Sequence, residues 1–85
     1  MDKKELKKMA NGIKPEFNLG KQGITDNFID SLNKYLKVHN LVKIKCLIAT
    51  DKDNLKYFAD EVTKQAEAEL IEMKGFTFTI YKKEK

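Results

Sequence analysis

Between Leu41 and Leu47 the chain reads Leu-Val-Lys-Ile-Lys-Cys-Leu. Val42, Ile44 and Cys46 alternate with Lys43 and Lys45, a period of two that suits a strand and not a helix. A strand of this kind has one covered face and one wet face, so the chain must supply a layer to cover it. The flanking segments do. Ile24, Phe28, Ile29, Leu32, Tyr35 and Leu36 precede the strand at helical spacing, and Leu55, Phe58, Ala59, Val62 and Ala66 follow it in the same way. Thr25, with Asp26 next, suits the N-cap of the first helix, which ends near His39-Asn40; Thr50 or Asp51 suits that of the second.

The remaining segments complete the order. Residues 2–11 read as a helix with Leu6, Met9 and Ala10 on one side and lysines opposite, stopped by Asn11-Gly12. Pro15 pushes Lys14 toward an extended conformation. Glu16 to Leu19 then reads as a short strand with Phe17 and Leu19 on one face. Ala68–Met73 and Phe76–Tyr81 read as strands joined at Lys74-Gly75, with Phe76, Phe78 and Ile80 on one face and Thr77, Thr79 and Tyr81 on the other. The order α-β-α-β-α-β-β predicts a mixed α/β fold with a four-stranded mixed sheet. Right-handed crossovers make the first three strands parallel and place the second and third helices on one face. They should bury Val42, Ile44, Cys46, Phe76, Phe78 and Ile80, leaving Lys43 and Lys45 on an open face. The turns Gly20–Gly23, Ala49–Asp53 and Lys74-Gly75 should meet at one end of the sheet.

Eighty-five residues predict a single domain over 1–85 with a small core. That favours a binding surface over a deep catalytic cleft. The net charge is +4, and all 17 basic residues are lysines. Residues 1–14 and 74–85 each carry +3, and the segment between them −2. Basic ends on a slightly acidic middle suit a polyanion partner, although solvated lysine-rich ends would look the same. Cys46 is the only cysteine, which fits a reducing compartment. No apolar run reaches the ~18 residues of a membrane span, and the first residues lack a secretory signal's apolar segment. The expectation is a soluble, cytoplasmic monomer without a membrane or small-molecule substrate.

The stretch Asn18 to Thr25, Asn-Leu-Gly-Lys-Gln-Gly-Ile-Thr, sits between a strand and a helix N-terminus. Unpaired amides and the positive end of the helix dipole favour an anion there. Glycines let a phosphodiester approach without a Cβ in the way, Lys21 adds charge, and Gln22 adds a donor. Two readings stand open: a clamp on a nucleic-acid backbone, or a strand–helix turn needing positive φ at both Gly20 and Gly23. The spacings of dinucleotide and nucleoside-triphosphate loops are absent.

Leu6 with Ala10, Lys14-Pro15, Leu19-Gly20, Gly23-Ile24-Thr25, the run His39 to Lys45, Gly75 and Tyr81-Lys82 occur in one unbroken register. In that order and spacing the chain resembles the CRM domain family (chloroplast RNA splicing and ribosome maturation) in its stand-alone, YhbY-like form, over nearly its whole length. The resemblance implies an RNA-binding domain of the same element order, related in shape to the C-terminal domain of translation initiation factor three. It implies RNA contact through Gly20–Gly23 and, for bacterial members, association with large-subunit ribosome precursors; plant members act in intron splicing. Lys82 stands where arginine is frequent, and Phe76 where a basic residue is frequent.

The candidate RNA contacts are therefore Gly20, Lys21, Gln22, Gly23 and Thr25, with Lys14, Lys43, Lys45, Lys74 and Lys82 on the phosphates and Tyr81 for stacking. No metal or cofactor is expected, because His39 and Cys46 are too few and too far apart for a zinc site. No nucleophile–base set or paired carboxylates appear, so no enzymatic activity is expected. Two other readings remain: a KH-like binder of single-stranded RNA, whose loop would lie between two helices, and a protein-binding adaptor without nucleic acid.

Overall fold

The computed structural model describes residues 2–83. Three helices and four strands follow in the expected order: α1 (Lys3–Gly12), β1 (Phe17–Leu19), α2 (Asp26–His39), β2 (Leu41–Cys46), α3 (Lys52–Ala66), β3 (Glu69–Lys74) and β4 (Thr77–Tyr81). The sheet order is β1-β2-β4-β3, with β1 parallel to β2 and β4 antiparallel to both β2 and β3.

Each helix begins at a side chain that satisfies one of its free amides. Asp2, Thr25 and Asp51 are N-caps, and each accepts a hydrogen bond from the amide three residues on. At α3 the residue before the cap is held as well, since Asn54 Oδ1 accepts from the Thr50 amide at 3.1 Å. α2 and α3 end at Asn40 and Glu67, both left-handed, with φ of 62° and 54°. Asn40 also locks the chain end: its Nδ2 donates to the Lys82 carbonyl, and its carbonyl accepts from the Lys82 amide.

α2 and α3 lie on one face of the sheet. Ile29, Leu32 and Leu36 from α2 and Leu55, Ala59, Val62 and Ala66 from α3 close over Leu19, Val42, Ile44, Cys46, Phe78 and Ile80. Phe17 joins this layer at its edge, with its ring edge-on to Phe28 and Tyr35. A strand, β1, precedes the glycine turn and a helix follows it, so the helix–loop–helix setting of a KH domain is not present.

Three expectations are corrected. The second sheet face is not open: α1 packs across β2 and β3 there, and Leu6, Leu41 and Ile71 form a small second core with Ile13 and Tyr81. The helical stripe on residues 2–11 identified α1 but not the face it would seek. As a consequence Lys43 is buried, at 9% exposure, while Lys45 remains exposed. Phe76 is the third case. It was expected beneath the helices, yet it lies outside β4 and is half exposed. The hairpin turn is Gly75-Phe76, not Lys74-Gly75. Gly75 takes a φ of 60° and Phe76 does not go positive, the order of a type II′ hairpin. That shift of one residue moves Phe76 out of the strand's alternation.

Ile44 is fully buried, so Ile44→Ala should lower stability by roughly 2–5 kcal/mol in urea denaturation. Leu6→Ala should fall in the same range, because α1 closes a core; on an open sheet face it would cost little.

Candidate nucleic-acid interface

The C-terminal ends of β1, β2 and β3 lie together, as parallel strands with short exits require. The Cys46 amide donates to the Phe76 carbonyl at 2.8 Å, and the Leu47 amide to the Leu19 carbonyl at 2.9 Å. These bonds hold the Gly20–Gly23 turn, the end of β2 and the β3–β4 hairpin side by side.

The turn is closed by the Gly23 amide donating to the Gly20 carbonyl at 2.8 Å. Lys21 and Gln22 at its tip are exposed. Thr25 Oγ1 accepts from the Phe28 amide, and the Thr25 carbonyl from the Ile29 amide. The first-turn amides ahead of Phe28 thus keep their donors for an outside acceptor. Asn18, Gly20, Lys21, Gln22, Gly23, Thr25 and Phe28 line a shallow cleft of about 270 Å³.

The two glycines differ. Gly23 has a φ of 69°, which the turn requires. Gly20 does not have positive φ, and a Cβ there would meet nothing within 4 Å. The expectation of positive φ at both is met at Gly23 alone. Nothing among the described residues requires Gly20 to lack a side chain.

Register places four polar side chains in a row beside the turn. Asn18 pairs with Lys45, Lys45 with Thr77, and Thr77 with Lys74. The row crosses all four strands on the α1 face but beyond the reach of α1. Asn18, Lys45 and Lys74 are exposed and Thr77 is half-buried, its Oγ1 donating to the Lys74 carbonyl at 2.7 Å. Among the described residues the ion pairs are Lys34–Asp30 and Lys56–Asp60, both on helix surfaces. Lys21, Lys45 and Lys74 therefore carry charge with no internal partner.

The candidate contacts thus divide. Gly20, Lys21, Gln22, Gly23, Thr25, Lys45 and Lys74 come together at the turn end. Lys14, Tyr81 and Lys82 lie at the opposite end, roughly 13 Å away along β4 at ~3.3 Å per residue. There Tyr81 is half-buried in the α1 core, so its ring is committed to packing more than to a base. Lys82 Nζ donates to Asn33 Oδ1 at 3.3 Å. Lys14 and Lys43 line a separate cleft of about 460 Å³ between α1 and α2. Tyr35 and His39 stack on its wall at 4.4 Å between ring centres. Burial, and secondarily the Glu16 carboxylate, hold the Tyr35 phenol above its ordinary range. Asn18 and Thr77 were not identified from sequence; strand alternation placed them on the right face, but only cross-strand register aligns them with the lysines. No group of three metal-ligating side chains occurs among the described residues.

Comparison with known proteins adds an independent line. The family model of the CRS1/YhbY (CRM) domain matches residues 1–82. The probable RNA-binding protein YqeI of Bacillus subtilis is 29% identical over 83 residues, covering 98% of this chain and 85% of that protein. The probable RNA-binding protein PA4753 of Pseudomonas aeruginosa is 27% identical over 81 residues, covering 95% of this chain and 77% of its own length. The solution structure of the hypothetical protein SAV1595 from Staphylococcus aureus superposes with a TM-score of 0.85 at 30% identity, over 98% of this chain and 85% of that one.

The two glycines give a direct stability test. Gly23→Ala should destabilise by about 1–2 kcal/mol, the cost of a left-handed residue with a Cβ. Gly20→Ala should leave the urea midpoint unchanged. An equal loss at both positions would show that the turn needs both glycines for its own sake.

Proposed function

This chain belongs to the CRS1/YhbY (CRM) domain family, and we propose that it is a non-catalytic RNA-binding protein that grips the phosphate backbone at the Gly20–Gly23 end of its sheet. The observation that carries this is the continuity of the turn with the row Asn18–Lys45–Thr77–Lys74, whose lysines form no ion pair among the described residues. A phosphate at the turn meets the free amides of α2, the positive end of its dipole and Lys21 together. Lys45 and Lys74 continue the track for the next phosphates. Lysine, lacking the planar fork of arginine, reads charge and spacing more than a base edge. Structured RNA recognised by shape and backbone suits such a surface. The resemblance of the sequence to bacterial CRM proteins supports ribosomal RNA in large-subunit precursors as the target, with the protein acting as a monomer.

Two measurements test this. RNA affinity should fall steeply with salt, by a log–log slope of about −0.7 per phosphate neutralised on a single strand. Lys45→Ala with Lys74→Ala should flatten that slope, whereas Lys82→Ala should not. The double change Lys21→Asp, Gln22→Asp should weaken RNA binding at least tenfold, about 1.4 kcal/mol, with a thermal midpoint within a few degrees of the original, because acids near a helix N-terminus are tolerated. A folded double variant that binds RNA normally would move the site away from the turn.

A further inference from the structure

Two large apolar side chains stand in solvent at the same end of the sheet. Phe76 is 50% exposed and Leu47 58%. Neither belongs to a core cluster of the described residues. Phe76 is the second residue of a two-residue hairpin turn whose φ it satisfies without special chemistry, and Leu47 follows the last residue of β2. A polar residue would serve either position as well and would spare water the contact. They are also neighbours of the proposed phosphate site. The Phe76 carbonyl is bonded to the Cys46 amide, and the next amide, that of Leu47, is bonded to Leu19, the residue before Gly20. From the β1 exit to the hairpin turn is two strand spacings, about 10 Å.

The geometry points to Phe76 as a stacking platform for an unpaired nucleobase of the RNA held at the Gly20–Gly23 turn. This rests on the backbone-binding reading above and gives it a preference, for RNA whose bases are free to leave their stack. Charge selects the occupant. Lys74 lies two residues before Phe76, Lys45 two before Leu47, and Lys21 beyond β1, so three cations that form no ion pair among the described residues lie at the same end of the sheet. An apolar protein surface would have to strand those charges, whereas a nucleotide brings an aromatic face and a phosphate together. The platform is also held in advance. The Cys46 and Thr77 hydrogen bonds fix the turn on both sides of Phe76, so little order remains to be gained on binding. Stacking of this kind is tolerant of base identity, because every base has a π-face.

The test compares a single-stranded oligoadenylate with a fully paired RNA duplex at fixed salt. Phe76→Ala should weaken oligoadenylate binding by roughly five- to a hundredfold, change duplex binding little, and leave the salt slope unaltered, since no phosphate contact is lost. Phe76→Trp should retain affinity. The chain has no tryptophan of its own, so the new indole should be quenched by oligoadenylate and not by the duplex. Equal binding of Phe76→Ala and the original protein to oligoadenylate, or an equal loss on both RNAs, overturns the platform. The Lys21→Asp, Gln22→Asp variant separates the two ideas. If it loses RNA while Phe76→Ala does not, the platform falls and the backbone site stands. If Phe76→Ala loses oligoadenylate while the charge variant does not, the platform stands and the backbone site falls.

Discussion

The double engagement of β2 is the constraint on which the rest of the structure depends. It is hydrogen-bonded on both edges, to β1 in parallel and to β4 in antiparallel. Along most of its length it is also covered on both faces, by α2 and α3 over Val42, Ile44 and Cys46 and by α1 over Leu41 and Lys43. A strand held in this way cannot slip by one residue without turning its apolar set away from the main core. Its end is therefore fixed relative to both neighbours. The amides of Cys46 and Leu47 carry that fixation to the hairpin turn and to the residue before Gly20.

The uneven cover of the second face is what makes a surface available. α1 has ten residues, about 15 Å of helix at ~1.5 Å per residue, and it rests over the end of the sheet where Leu41, Ile71 and Tyr81 lie. The other end of that face remains uncovered and carries Asn18, Lys45, Thr77 and Lys74. The stem of Lys43, midway, falls under the helix and that of Lys45 does not. Two lysines of one alternating strand thus have different environments, and a long aliphatic stem is what allows Lys43 to tolerate its position.

Rigidity at this end comes from the sheet, and adaptability is confined to side chains. The turn has its own 2.8 Å closing bond, and α2 has its cap. The lysines project from strand ends and form no ion pair among the described residues. Such an arrangement suits a polymer whose charges are regularly spaced and whose detailed shape varies.

Sequence and tertiary structure divided the outcome along a physical line. Local patterns determined the element order and pointed to the caps of α2 and α3, because caps and periodicity are properties of residues a few positions apart. They also marked most of the main core, because α2, α3 and β2 each carry an apolar stripe that has to be buried. The turn at Gly20–Gly23 was legible for the same reason, being a strand end followed by a capped helix. What the sequence did not decide was where α1 docks, since an amphipathic helix at the chain's end can cover any apolar patch within reach. That choice buried Lys43, engaged Tyr81 and left Lys45 free. Cross-strand register, which no single segment contains, aligned Asn18 and Thr77 with Lys45 and Lys74. A one-residue difference in the hairpin turn took Phe76 out of β4 and left it half exposed, while Phe78 and Ile80 kept the expected core face.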